Sequence, residues 1–113
     1  FVEDNWKRPG GGGGHTRVIQ HGNVFEKGGV NFSAVHGELT DNIAQALNLN
    51  YRGFYATGVS IVIHPINPFV PIIHMNVRYF ETNQGKCWFG GGIDLTPMYV
   101  DPLAAAQFHK QLN

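Results

Sequence analysis

Residues His64 to Arg78, HPINPFVPIIHMNVR, give the strongest indication of the chain's architecture. Three prolines, Pro65, Pro68 and Pro71, stiffen a loop between two apolar runs. In the second run the side chains alternate, with Ile72, His74, Asn76 and Arg78 on one side and Ile73, Met75, Val77 and Tyr79 on the other. This alternation predicts a β-strand with one core face and one polar face, where imidazole, amide and guanidinium follow each other at about 7 Å. Such a row suits a site that holds an anion and moves a proton.

The run before the proline loop extends this polar face. Phe54–His64 is apolar at nearly every residue after Gly58, which predicts a strand buried on both faces. If the loop returns the chain antiparallel, Ser60 and His64 share a face with the polar residues of the next strand. That convergence favours a functional site. The alternative is a solvated face that carries two hydrogen-bonded histidines.

Four side chains are candidates for chemistry. Arg78 has the planar fork that binds carboxylates in a bidentate manner. His74 is a candidate acid or base, since histidine exchanges a proton readily near neutral pH. Asp94 follows three glycines, so it either forms a turn or stands in a cleft that the glycines leave open. His109 by itself indicates a packing or surface residue, and the absence of HxH and HExxH spacing makes the case for a metal weak.

Outward from this centre, turn signals divide the chain into strands and two helices. We predict strands over 16–20, 24–27, 30–35 and 86–89 in addition to the two above, with a hairpin turn at 21–23 and interruptions at Gly28-Gly29 and at Gly90–Gly92. We predict a helix from Thr40, as its cap, to about Asn48, and a second helix over 103–112 that begins at Asp101-Pro102. Short connections favour an α+β fold built on a large antiparallel sheet flanked by helices. The glycine block at 10–14 indicates a flexible linker or a loop that approaches a ligand closely.

Composition narrows the class of protein. The 113 residues support one domain, and a formal net charge of zero argues against nucleic acid as a partner. No apolar run is long enough for a transmembrane helix. Cys87 is the lone cysteine, which excludes a disulfide framework and is compatible with a reducing compartment. Because the sequence starts at Phe1, we expect a piece of a longer protein.

Several strings together resemble one family, the oxygen-dependent coproporphyrinogen III oxidases. They are EDNWKRPG at 3–10 with the glycine block, VFEKGGV at 24–30, VHG at 35–37, GVS at 58–60 with His64-Pro65, HMNVRYF at 74–80, WFGGGIDLTP at 88–97 and FHK at 108–110. The strings keep the family's order and span almost the whole chain. We therefore expect residues 1–113 to form a single partial domain of such an enzyme, without its C-terminal part.

The resemblance implies an activity. Members of the family decarboxylate two propionates of coproporphyrinogen III to vinyl groups and produce protoporphyrinogen IX in heme biosynthesis. Molecular oxygen is the co-substrate, no organic cofactor is needed, and the use of a divalent metal is disputed between members. The family implies a homodimer, and we expect a cytoplasmic protein, with the mitochondrial intermembrane space or a plastid as the alternative.

The resemblance also implies residue roles. Ser60 and the segment Asn76, Val77 and Arg78 would contact the substrate. His74 stands where the family's proposed proton donor stands, and Asp94 would interact with the pyrrole nitrogens. His64, His74 and His109 fall on positions implicated as metal ligands in some bacterial members.

The chain also departs from the family. It stops soon after His109, and the stretch Asn48–Phe54 and the turn Thr82–Gly85 look shorter than is typical. Two alternatives therefore stay open beside the oxidase. One is a tetrapyrrole-binding remnant without catalysis, and the other is a plain interaction domain without a ligand.

Overall fold

A computed structural model describes residues 1–48 and 53–113, and these ranges contain one six-stranded antiparallel sheet and two helices. The spatial order of the strands equals their order in the sequence. In chain order the elements are β1 (Val2–Lys7), β2 (Gly12–Gln20), β3 (Phe25–Glu38), α1 (Asp41–Ala46), β4 (Gly53–Pro65), β5 (Ile72–Thr82), β6 (Cys87–Thr96) and α2 (Pro102–Leu112). The predicted α+β class and the antiparallel sheet are confirmed. Most of the stretch Asn48–Phe54, expected to be short, lies outside the described residues.

The proline loop reverses the chain between β4 and β5, as predicted. The Asn67 side chain accepts a hydrogen bond from the Phe69 backbone at 2.9 Å, and the Val70 backbone donates to the Asn67 carbonyl at 3.0 Å. These bonds close a local turn, a common role of asparagine. The reversal pairs Ile63 with Ile73 and continues the ladder to Phe54 and Thr82.

All three glycine clusters contribute to strands, and here the sequence predictions were wrong. Gly28-Gly29 lies inside β3, Gly90–Gly92 lies inside β6, and Gly12–Gly14 begins β2. A Cβ atom on Gly12 would lie 2.2 Å from the Ala34 carbonyl oxygen, so the neighbouring backbone leaves room only for glycine. Of the glycine block, Gly10 and Gly11 alone form the turn that joins β2 to β1, a polar strand that the sequence did not indicate.

The helices agree with the sequence to different degrees. Helix α2 begins as predicted, because an Asp101 side-chain oxygen accepts hydrogen bonds from the backbone of Leu103 at 2.9 Å and of Ala104 at 3.2 Å. Helix α1 has only six residues. Thr40 stands at its N-cap position, but its side chain makes no capping hydrogen bond there, so the predicted cap is wrong in its chemistry.

Both faces of the sheet are largely open. The accessible surface is 8413 Å², whereas a compact monomer of this mass exposes roughly 6,200 Å². Within the described ranges the buried hydrophobic side chains are those of Leu39 and Ala44, and neither is completely enclosed. The predicted burial of β4 on both faces is wrong here, since Tyr55 and Val62 are exposed on opposite sides. The chemistry-bearing side chains therefore stand at the surface.

Candidate functional site

The strand register gathers the predicted site residues on one side of the sheet. Residues that are directly opposite in neighbouring strands share a face, and every second residue along a strand returns to it. Ser60 pairs with Asn76, and His74 and Arg78 lie two residues to either side of Asn76. The prediction that these four residues share a face is confirmed. We call this side of the sheet, together with Asn31 of β3 and Asp94 of β6, the polar face.

A polar contact on this face joins His74 and Asp94. The two residues are direct partners in the β5–β6 ladder, and Nδ1 of His74 lies 2.9 Å from Oδ2 of Asp94. Both side chains remain accessible, at 40% for His74 and 59% for Asp94. A carboxylate bound at Nδ1 holds the ring and leaves Nε2 free to exchange a proton. Sequence reasoning selected both residues but not their contact.

Three other members of the polar face have no partner in the described part of the chain. Ser60, Asn76 and Arg78 make no side-chain hydrogen bond or ion pair there. Ser60 and Asn76 are nevertheless half-buried. Such groups are available to a ligand, and a ligand that covers them must supply hydrogen-bond partners, because burying a polar group without one is costly. Their arrangement leaves a hydroxyl, an amide and a guanidinium available to one ligand.

Glycines open space beside these groups. Gly92 is the β6 partner of Asn76 and Gly90 is the partner of Arg78, and a Cβ atom on either would meet nothing within 4 Å. A cavity of about 470 Å³ lies against this surface, and Asn76, Arg78, Gly90 and Gly92 contribute to its lining. A flat ligand can therefore approach the backbone of β6 next to the guanidinium.

Aromatic rings bound the polar face at the end beyond Arg78. Phe80 stacks on Phe54 with ring centroids 5.7 Å apart and on Trp88 at 4.6 Å. The Arg8 guanidinium lies 5.7 Å from the centroid of the Phe54 ring, within the range of a cation–π contact. Phe80 and Trp88 also line the cavity. The site thus has an apolar wall beside its cationic group, which sequence reasoning missed because the wall spans three strands.

Two neighbours of Arg78 point away from the site. Val77 pairs with Val59 and Gly91, so its side chain lies on the opposite, apolar side of the sheet. Only the backbone of Val77 can contact a ligand on the polar face. Its role in substrate binding remains a prediction, limited to that backbone contact. Tyr79 is on the same apolar side, where its hydrogen bond to Glu81, with a further one to Cys87, raises the pKa of the phenol to about 12.

The described residues do not fit a metal ion. No group of three or more His, Cys, Asp or Glu side chains in residues 1–48 and 53–113 is close enough to hold one. His64 lies on the polar face two residues from Val62, the partner of His74. His109 lies on α2 and lines a separate cavity of about 440 Å³ with Asp94. The metal role that the resemblance implies for these histidines therefore stays a prediction, and no chemistry below depends on it.

Comparison of the sequence with known proteins identifies the family of the chain. The family model for coproporphyrinogen III oxidase matches residues 1–113. The chain belongs to the coproporphyrinogen III oxidase family. It is 50% identical over 112 residues to the oxygen-dependent coproporphyrinogen-III oxidase of Prochlorococcus marinus (strain NATL1A), an alignment that covers 97% of this chain.

The chain spans about a third of that relative, 32% of its length. Within the described ranges neither α1 nor α2 is long and apolar enough to cross a membrane.

Proposed function

We propose that this chain is part of an oxygen-dependent coproporphyrinogen III oxidase and that its polar face binds the tetrapyrrole. The observation that carries the proposal is the row of unpartnered Ser60, Asn76 and Arg78 beside a glycine-lined space, in a chain whose full length matches the family. A flat macrocycle with carboxylate arms is complementary to such a surface. The open space takes the ring system, and the hydrogen-bond donors take the carboxylates.

The proposed reaction removes two electrons and carbon dioxide from each of two propionates. For each one, the arm –CH2–CH2–COO⁻ loses its carboxylate carbon as carbon dioxide and one hydrogen from the carbon next to the pyrrole, and a vinyl group forms. Molecular oxygen accepts the two electrons. With the proton released and one more from solution, it becomes hydrogen peroxide. Two rounds convert coproporphyrinogen III to protoporphyrinogen IX, and no organic cofactor enters the balance.

Arg78 is the principal carboxylate ligand in this account. Its guanidinium forms paired, charge-assisted hydrogen bonds with a propionate, and Asn76 and Ser60 add neutral donors nearby. The wall of Phe80 and Trp88 packs against the apolar edge of the same macrocycle. Together these contacts fix which propionate stands near His74.

His74 and Asp94 form the proton-handling pair. Oδ2 of Asp94 accepts a hydrogen bond from the Nδ1–H of His74, so Nε2 of His74 is the atom that takes up or delivers a proton during turnover. The second oxygen, Oδ1, remains available to a pyrrole N–H of the substrate. A single carboxylate can thus orient both the imidazole and the macrocycle. Holding the two reacting groups in the right geometry lowers the barrier of the reaction.

The setting of the whole protein is part of the proposal. The apolar side of the sheet is largely exposed in this chain. We propose that further residues of the complete protein cover this side and that the complete protein forms a homodimer. The exposed, unpaired thiol of Cys87 supports a reducing compartment, and we propose the cytoplasm, with the intermembrane space or a plastid as the alternative.

A turnover assay tests the function. The full-length protein that carries this chain is incubated with coproporphyrinogen III, with and without oxygen, and the products are separated by mass. Oxygen-dependent loss of two carboxyl groups supports the proposal. Porphyrinogen binding without turnover by a folded protein would replace it with a non-catalytic binding function.

A further inference from the structure

Asn31 of β3 stands in the same transverse row as Ser60 and Asn76. It pairs with Thr16 of β2 on one side and with Ser60 of β4 on the other. The row therefore runs from Thr16 through Asn31, Ser60 and Asn76 to Gly92 on the polar face. Asn31 is half-buried and is not among the residues that the sequence selected.

Two donors fix the orientation of the Asn31 amide. Nε1 of Trp6 donates to Oδ1 of Asn31 at 3.1 Å, and the Thr16 hydroxyl donates to the same oxygen at 2.7 Å. An indole nitrogen can only donate, so the amide atom that faces it must be the oxygen. Both donors come from the β1 and β2 side of Asn31. The amide nitrogen consequently lies on the other side of the amide group, away from these two donors.

That nitrogen has no partner in the described part of the chain. With its two N–H groups, the row offers unpartnered donors from three neighbouring strands, at Asn31, Ser60 and Asn76. Arg78 lies two residues from Asn76 on the same face. Asp4, the nearest carboxylate on this face along the row, is two strands away, or about 10 Å. A carboxylate of a ligand would accept hydrogen bonds from these unpartnered donors.

Asn31 and Arg78 are too far apart to bind the same carboxylate. Two strand spacings and one pleat repeat separate them, which amounts to about 12 Å. We propose that Asn31 is a further substrate-binding residue that donates its amide to a different propionate from the one Arg78 holds. Trp6 and Thr16 are positioning residues that keep the amide nitrogen toward the ligand. This inference rests on the proposed function.

The test uses Asn31→Asp in the full-length protein, because aspartate keeps the acceptor for Trp6 and Thr16 and replaces the donor with a negative oxygen. Loss of one donor to a carboxylate, with repulsion added, should raise the KM for coproporphyrinogen III about 10- to 100-fold, with a smaller change in kcat. The matched control is Asn5→Asp, the same change on β1 but on the apolar side, where Asn5 faces His15. It should leave KM unchanged.

A second measurement separates ligand binding from structure. Anaerobic binding is measured for coproporphyrinogen III and for a detergent-solubilised porphyrinogen that carries ethyl groups in place of the four propionates. Asn31→Asp should weaken the first and leave the second unchanged. Equal weakening of both ligands would assign Asn31 to the fold and overturn the inference.

Trp6→Phe tests the positioning role while Asn31 stays in place. The phenyl ring retains most of the aromatic surface that covers Gly14 but lacks the N–H. KM should rise severalfold in the wild-type background and should not rise further in the Asn31→Ala background. Additive effects would overturn the positioning role.

If wild-type protein converts coproporphyrinogen III while Asn31→Asp has an unchanged KM, the inference fails and the proposed function stands. If wild-type protein shows no conversion, the proposed function fails first.

Discussion

Nδ1 of His74 lies 2.9 Å from Oδ2 of Asp94, across the ladder of β5 and β6. Because the residues are direct partners in adjacent strands, the backbone itself sets their separation. A hydrogen bond held by two strands keeps the imidazole in one orientation without help from a mobile loop. The pair is therefore a preorganised proton-handling group.

Replacing Asp94 with Asn should reduce kcat/KM by a factor of roughly 10 to 1,000, because the charge that orients the imidazole and the pyrrole is lost. The melting temperature should change little, since both atoms of the pair are accessible. Asp4→Asn, an exposed position at the far edge of the same face, is the control. Normal kinetics with a large loss of thermal stability would show that Asp94 serves the fold instead.

Replacing Arg78 with Ala should cost about 2–4 kcal/mol of transition-state binding, the usual penalty for removing a paired charge-assisted contact. Arg78→Lys should recover only part of it, since an ammonium cannot make the bidentate contact. Arg17→Ala removes an exposed guanidinium that pairs with Glu3 at 2.8 Å on the other side of the sheet. That control should keep normal kinetics, and wild-type KM and kcat in Arg78→Ala would rule out the carboxylate clamp.

The consecutive glycines of β6 should respond in opposite ways. Gly92→Val places a side chain in open space on the polar face, so the protein should fold normally but lose substrate affinity. In Gly91→Ala the new Cβ atom would lie 2.4 Å from the Asn76 carbonyl oxygen on the apolar side. This overpacking should destabilise the protein by on the order of 1–3 kcal/mol. Melting curves and KM values for both variants check the contrast, which disappears if the macrocycle does not lie over Gly92.

His109 should matter less than His74. It lies on α2, away from the row of donors, and no metal cluster in the described ranges includes it. We expect His109→Ala to retain most of the activity that His74→Ala loses. Assays with and without a chelator accompany both variants. Equal inactivation of two folded variants, together with inhibition by the chelator, would restore the metal role that the family resemblance implies.

The sequence predicts the shared face of β4 and β5 because strand alternation is strict. Alternation places His74, Asn76 and Arg78 on one side of β5, and Ser60 joins them because the proline loop sets a register that pairs it with Asn76. The contact of His74 with Asp94 could not be predicted in the same way. It depends on the register of the β5–β6 hairpin, and an error of one residue in the turn would move Asp94 to the other face.

The glycine clusters and β1 show a second limit of the sequence. Glycine has a low strand propensity, so the block at 10–14 indicated a linker or a loop, and the runs at 28–29 and 90–92 indicated interruptions. In the structure their backbones continue the ladders. At Gly12 the Ala34 carbonyl oxygen occupies the place of a Cβ atom, whereas the space beside Gly29, Gly90 and Gly92 is open. Tertiary pairing overrides local propensity here. Asn31 was missed because its partner Trp6 lies on β1, a strand that the sequence did not indicate.

The proposal that the polar face binds the macrocycle is best tested by an experimental structure of the full-length protein with coproporphyrinogen III, prepared without oxygen. The account predicts that the macrocycle lies against Gly90 and Gly92 on the polar face, with one propionate on Arg78 and a pyrrole N–H facing Asp94. A macrocycle bound on the apolar side of the sheet, or bound without contact to Arg78 and Asp94, would contradict it.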